Sequence, residues 1–264
     1  MTTDYAKIDA INWSSLKHMA TSPLLYKWRV DNPEPPKQAY LIGSAIHCAT
    51  LEPDEFSKRY GVYDGKVRRG KAWDEWKDDN PRLDAILAAE KEIALASADA
   101  VHAHPIAGPL LTGGCAEEFL LWNDPDTGVA AKGRLDFLRP TALVDLKSAR
   151  SINARKFSNA AAEYLYHGQL AWYHDGAVAA HRIPYDAEPP YVISVEKAGP
   201  YDVAVDQLSI NDLDAGRTLY RSLLAKLLAC IEADYWPGQA PELRQLDIPA
   251  WAPGMNEHDE ESVF

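Results

Sequence analysis

The spacing of apolar residues changes character near Gly113-Gly114. Before that point it favours helices. Ser14-Ser15 can cap a short helix running through Met19, and Ser22-Pro23 restarts one through Trp28, because proline suits a first helical turn. Asp31-Asn-Pro-Glu-Pro-Pro36 reads as a loop, and residues 40–51 (YLIGSAIHCATL) as a buried helix of small residues. Residues 61–70 (GVYDGKVRRG) read as a glycine-bounded basic loop. Asn80-Pro81 then opens a long amphipathic helix, with Leu83, Ile86, Leu87, Ile93 and Ala94 at helical spacing and Glu90 interrupting the stripe.

After Gly114 the period shortens to that of strands. EEFLLW (117–122), VAAKGRLDFL (129–138) and ALVDLK (142–147) are three strands, joined by turns at Asn123–Gly128 and Arg139-Pro140-Thr141. A helical region follows over 153–180, then strands at 191–196 and 201–206. A last helix runs from about Gln207 to Tyr235 and stops at Trp-Pro-Gly. This order predicts an α/β fold, a central mixed sheet with helices on both faces. No repeat or low-complexity linker divides the chain. One domain over 1–240 is expected, with its core at about 113–206 and a flexible acidic tail over 241–264.

Composition narrows the class. A hydrophobic content of 47% with 25% charged residues excludes a disordered or fibrous chain. No apolar run approaches the roughly 18 residues of a membrane span, and no partnership with a membrane is expected. The N-terminus lacks a basic segment followed by an apolar one, so no signal peptide is read there. Three scattered cysteines make no disulfide framework and fit a reducing, cytoplasmic setting. The net charge of −12 argues against nucleic-acid binding over the whole surface, while leaving room for a local basic groove.

The chemistry concentrates in GRLDFLRPTALVDLKSA, residues 133–149. Asp136 and Asp145 fall on neighbouring antiparallel strands, about 5 Å apart, where two carboxylates can share a divalent ion. Lys147, two residues beyond Asp145, faces the same way and can act on a water or a phosphate. The Leu146 carbonyl lies between them as a further oxygen ligand. Hard oxygen donors of this kind suit Mg²⁺ or Mn²⁺. The competing reading is a salt-bridged Asp–Lys pair on a half-exposed strand.

Gly133-Arg-Leu-Asp136 followed by Asp145-Leu-Lys147 resembles the PD-(D/E)xK nuclease signature in its RecB-like form. His47, in Gly43-Ser-Ala-Ile-His47, resembles the upstream histidine motif of that form, and Gln169-Leu-Ala-Trp-Tyr173 its downstream Q-x-x-x-Y. Four motifs in the family's order are far more specific than one. Ile11-Asn-Trp-Ser-Ser-Leu16, Ser22-Pro-Leu-Leu-Tyr26, Arg68-Arg69-Gly70-Lys71 and Tyr166-His-Gly-Gln169 are similar to RecE-type phage and prophage exonucleases, over about residues 8–235.

The resemblance implies a restriction-endonuclease-like core with an N-terminal helical elaboration. It makes Asp136, Asp145 and His47 metal ligands for two Mg²⁺ or Mn²⁺ ions, with Lys147 as the water-activating or phosphate-stabilising cation. Gln169 and Tyr173, four apart on one helical face, would border the metal centre and hold the DNA strand. An acidic residue of the first strand would bear on the second metal; Glu117 and the adjoining Glu118 point to opposite faces, and Glu117 is the preferred of the two. Arg68, Arg69 and Lys71, the densest basic patch, become DNA-backbone contacts. The implied activity is 5′-to-3′ resection of double-stranded DNA ends. The implied partners are a RecT-like single-strand annealing protein and further copies of the chain in a ring. A structure-dependent endonuclease, a CRISPR adaptation-type exonuclease and a non-catalytic DNA-binding module are the rivals. His102-Ala-His104 has no zinc-spaced partner and reads as a helix end. No nucleotide-binding glycine motif occurs, and three cysteines cannot hold a four-cysteine iron–sulfur cluster.

Overall fold

The structure is a computed structural model and describes residues 8–33 and 40–253. β1 (Ile11–Asn12) leads directly into α1 (Trp13–Leu16) and a 3-10 turn over Lys17–Ala20. The cap of α1 is Asn12, whose side chain accepts from the Ser15 N–H at 2.9 Å, and not the expected Ser14-Ser15 pair. α2 (Pro23–Asp31) starts where proline and the Ser22 hydroxyl predict, and it outruns Trp28 by three residues. Part of the expected 31–36 loop lies outside the described residues.

α3 (Leu41–Leu51) is the small-residue helix, and α4 (Pro53–Arg59) follows at once. Two expectations then fail. The basic loop begins as a strand, β2 (Tyr60–Tyr63), which pairs in parallel with β3 (Asp84–Leu87) across α5 (Lys71–Asp79). The helix expected from Asn80 therefore starts only at α6 (Ala88–Ala103). Glu90 does not break an apolar stripe. It turns back to accept from the Leu87 N–H at 2.7 Å and caps the helix start. His102 and His104 close α6, with His104 Nδ1 accepting from the N–H groups of Ile106 and Ala107 at the start of α7 (Ala107–Leu110).

β4 (Cys115–Asn123), β5 (Ala130–Leu138) and β6 (Leu143–Ala149) match the three expected strands. The 153–180 region is two helices, α8 (Ala154–Glu163) and α9 (Tyr166–Ala179), broken at Leu165 in a left-handed conformation (φ 58). β7 (Tyr191–Glu196) and β8 (Val203–Gln207) complete the sheet, and α10 (Ile210–Ala233) starts at a Ser209 cap, so Gln207 belongs to the strand. None of the described helices is long and apolar enough to cross a membrane. The acidic cluster 257–261 lies outside the described residues.

The main sheet is mixed. β4, β5 and β6 are antiparallel, β7 is parallel to β6, and β8 is antiparallel to β7. It separates two apolar cores. Trp13, Leu16, Leu135, Trp172, Tyr220 and Leu224 fill one, beneath α1, α9 and α10. Ile46, Ala98, Phe137, Leu146 and Ile193 fill the other, beneath α3 and α6. Helices α9 and α10 cross closely because Gly216 abuts the His167 carbonyl, where a Cβ would sit 2.2 Å from oxygen.

Candidate metal centre

The sheet opens where the acidic residues lie. β5 and β6 pair only at Phe137–Val144 and Leu138–Leu143, and then part. β1 takes the vacated edge of β5 further along, at Ala131 and Lys132. In the gap, Asp136 Oδ2 accepts the Leu146 N–H at 2.7 Å, in place of a strand carbonyl. The opposite edge is disturbed at the same level. Ala116 and Glu118 pair with Phe137 and Leu135, but Glu117 and Asp136, facing each other by register, form no strand pair. Glu117 is left-handed (φ 49), a costly state for a side chain with a Cβ. Across it the strand changes faces: Ala116 packs on the second core, Leu120 and Trp122 on the first. β5 makes the matching change between Leu135 and Phe137. Both acids thus sit where alternation breaks, and both are available to a common space.

His47 of α3 completes that space. One donor atom each from His47, Glu117 and Asp136 lie within 4.8 Å of one another, and His47 Nδ1 is 3.6 Å from Asp136 Oδ2. Burial, followed by the charge of Lys147, lowers His47 to about 4, against weaker upward pulls from Asp145 and a backbone hydrogen bond with Leu146. Its imidazole is therefore neutral at pH 7, as a ligand must be, and the contact with Asp136 is not a charged pair. Burial and then the Asp136 and Glu52 carboxylates push Glu117 up to about 7, against Arg134 and Arg59. Asp136 is raised as well, by burial, with Lys147 and the Leu146 N–H opposing.

Asp145 is not one of the three convergent donors, but it interacts electrostatically with His47 and Asp136. It is almost fully buried, and Lys147 Nζ lies 2.5 Å from its Oδ2 as an ion pair. Burial raises Asp145 and the ammonium pulls it back. Lys147 itself is held above its ordinary value, because Asp145 and Asp136 outweigh the desolvation that would lower it. The ammonium also sits over the Tyr166 ring, 4.9 Å from its centroid. Of the expected aspartate pair, Asp136 joins Glu117 and His47, and Asp145 is ion-paired with Lys147. Glu118, the alternative to Glu117, points away and is ion-paired with Arg182.

His47, Glu117 and Lys147 open onto a groove of about 730 Å³ that Gln169 and Tyr173 also line. Tyr173 packs across Gly133, where a Cβ would meet its ring at 2.9 Å. Arg68, Arg69 and Lys71 do not line the groove. Arg68 is spent on the fold: its guanidinium pairs with Glu90 and donates to the Ala85 carbonyl at 3.1 Å, tying the basic loop to β3 and α6. Lys71 is 3.7 Å from Glu75 on an exposed helix face.

A family model, described as a PDDEXK-like domain of unknown function (DUF3799), matches residues 13–246. The chain belongs to this family. No curated protein matches it. Among solved structures, a Eubacterium rectale protein provisionally assigned as an exonuclease superposes with a TM-score of 0.61 at 16% identity, covering 91% of this chain and 90% of that one. An alkaline exonuclease from Laribacter hongkongensis gives a TM-score of 0.32 at 15% identity, covering 72% of this chain and 89% of that one, too loose a superposition to support an argument. At these identities the likeness is one of fold.

The PDDEXK fold implies use of a divalent metal, and the donors present fit one. Two carboxylates that repel each other and a neutral imidazole converge, and burial keeps both carboxylates raised despite the cations around them. Such a set gains most from a hard cation. Several groove residues of this PDDEXK-like domain escaped the sequence reading: Lys17, Arg59, Arg134 and Lys197. They come from four separate segments, so no linear basic run marks them. Arg134 alone left a trace, since it stands within the Gly133–Asp136 motif, two residues before Asp136.

Proposed function

We propose that this chain is a metal-dependent DNA exonuclease acting on duplex ends, resecting 5′ to 3′ and leaving 3′ single strands. One observation carries the reading: the His47, Glu117 and Asp136 donors meet at a split in the sheet, facing a groove lined by Lys17, Arg134 and Lys197. Phosphodiester chains are polyanions, and a cation-lined groove in a protein of net charge −12 concentrates its attraction there.

His47, Glu117 and Asp136 would hold Mg²⁺ or Mn²⁺, with Asp145 and the Leu146 carbonyl beside them for a second ion. A bound divalent ion supplies Lewis-acid polarisation of phosphate and a more acidic water. Lys147 is held protonated by Asp145, so it donates hydrogen bonds to a phosphate oxygen and stabilises developing charge; it does not serve as the base. Asp145 fixes the ammonium's position, and the Tyr166 ring restricts it from the other side. Gln169 and Tyr173, on the α9 face towards the groove, orient the strand. The catalytic domain would span 1–240, with 241–264 as a tail outside the chemistry. A ring of copies and a single-strand annealing protein receiving the 3′ strand complete the proposal.

The test is digestion of end-labelled linear duplexes carrying 5′ phosphate or 5′ hydroxyl, with and without Mg²⁺ or Mn²⁺. The expected result is metal-dependent release of mononucleotides or short products from the 5′ strand. Cleavage of covalently closed circular DNA at a comparable rate would instead establish an endonuclease, and 3′-strand release would reverse the polarity.

A further inference from the structure

The break between α8 and α9 has a consequence for substrate recognition. Leu165 is left-handed there (φ 58), a conformation that glycine adopts at no steric cost and leucine does not. The kink places Tyr164 and Tyr166 side by side, ring centroids 6.0 Å apart and 28° from parallel. Tyr166 is packed on its other contacts by Phe157 and by the Lys147 ammonium. Tyr164 remains 57% exposed, at the wall of the groove that holds the acidic trio.

A structural tyrosine would bury its ring or anchor its hydroxyl. Tyr164 has neither feature: its side chain is more than half exposed, and among the described residues its ring partner is Tyr166. An open aromatic face, backed by a second ring that is in turn backed by the phosphate-directed cation, matches the chemistry of a nucleobase. The contacts of Tyr164 with Tyr166, of Tyr166 with the Lys147 ammonium and of Lys147 with Asp145 connect that face to the phosphate-directed cation.

We propose that Tyr164 stacks on the base of the nucleotide adjoining the scissile phosphate, so that the site takes a base unstacked from its neighbour on that side. This rests on the nuclease reading and deepens it. The stack favours no particular base, since every base offers a π-face, and it discriminates against an abasic residue.

The test has two arms. In the first, wild type, Tyr164→Ala and Tyr164→Phe are assayed for kcat/KM with Mg²⁺ or Mn²⁺ on end-labelled duplexes whose terminal residue is normal or abasic. Tyr164→Ala should lose about tenfold or more on the normal end and little on the abasic one, and Tyr164→Phe should recover the loss. In the second, binding of a short single strand carrying 2-aminopurine is followed by fluorescence, which needs no turnover. Wild type and Tyr164→Phe should quench it, and Tyr164→Ala should not. Equal quenching by all three proteins, or equal losses on both ends, overturns the stacking role. Wild type that quenches without cutting supports the stack and overturns the nuclease reading, so the two failures separate.

Discussion

Two acidic clusters in this molecule are built with opposite electrostatics. At the split sheet, burial raises both Glu117 and Asp136, neighbouring carboxylates raise Glu117 further, and the local backbone is bent out of register to bring them together. Between α9 and α10, Asp175 is also largely buried, yet it is satisfied. Arg217 donates to both of its oxygens at 2.9–3.2 Å, and the Tyr220 hydroxyl donates at 2.8 Å. Burial would raise Asp175, but hydrogen bonds from His174, Arg217 and Tyr220 bring it down to about 2. A carboxylate that the fold itself neutralises is a structural device. One that burial keeps raised despite nearby cations is a place for an external one.

Removing the charge of Asp136 should break the first cluster alone. Asp136→Asn keeps an oxygen to accept the Leu146 N–H and relieves repulsion with Glu117, so the fold should be as stable as wild type or slightly more so. Nuclease activity should fall to background. Lys147→Ala should cost about 100- to 1,000-fold in kcat, as loss of one transition-state donor does. Rates with thermal unfolding of the same preparations check both; a variant that loses activity only because it unfolds would remove the distinction.

The second cluster should show the inverse. Asp175→Ala leaves the Tyr220 phenol without its acceptor and Arg217 with only the exposed Asp214, and is expected to cost about 2 kcal/mol, measured by urea unfolding, with the folded fraction retaining its activity. The pH signs also differ. Asp175 is depressed, so its contribution is complete above its unfolded value and disappears as pH falls towards about 2; acid unfolding of Asp175→Asn should therefore lack that portion of the curve. Glu117 is raised to about 7, so the metal-free fold binds an extra proton between the unfolded value and 7, and loses stability as pH rises through that window. A divalent cation needs the ionised form. Its stabilisation in a thermal shift with Mg²⁺ or Mn²⁺ should be large at pH 8 and nearly absent at pH 5.5. An equal shift at both values would place the ion elsewhere.

How much of this was legible follows the length scale of each signal. β4, β5 and β6 were readable because period-two alternation and strong turn residues are local. The parallel β2–β3 pair was not, because the short apolar segment after Asp84 (Ala85–Leu87) suits either helix or strand, and its partner lies more than twenty positions upstream. The kink at Leu165 was hidden because leucine carries no turn signal. At the site, His47, Lys147, Gln169 and Tyr173 could be named from motif order and line one groove, with Asp136 converging on His47. The basic residues could not, since a linear cluster is a poor proxy for a concave surface: Arg68 is consumed by Glu90, and the groove's cations are scattered along the chain.

The smallest predicted effect tests the sharpest contrast, between two adjacent glutamates. Glu118 lies on the opposite side of the left-handed residue and pairs with Arg182 at the partly exposed C-terminal turn beyond α9. Surface pairs of this kind contribute about 0–1 kcal/mol, so Glu118→Gln should shift unfolding by no more than that and leave kcat and metal affinity unchanged. Glu117→Gln, one position away, should weaken the metal-dependent thermal shift and raise the metal concentration needed for activity, while stabilising the metal-free protein above pH 7. If instead Glu118→Gln carried the metal effect, the face change at residue 117 would have been assigned the wrong way round. The alternation break itself would then need another cause, because nothing else in β4 explains why a glutamate is left-handed opposite an aspartate.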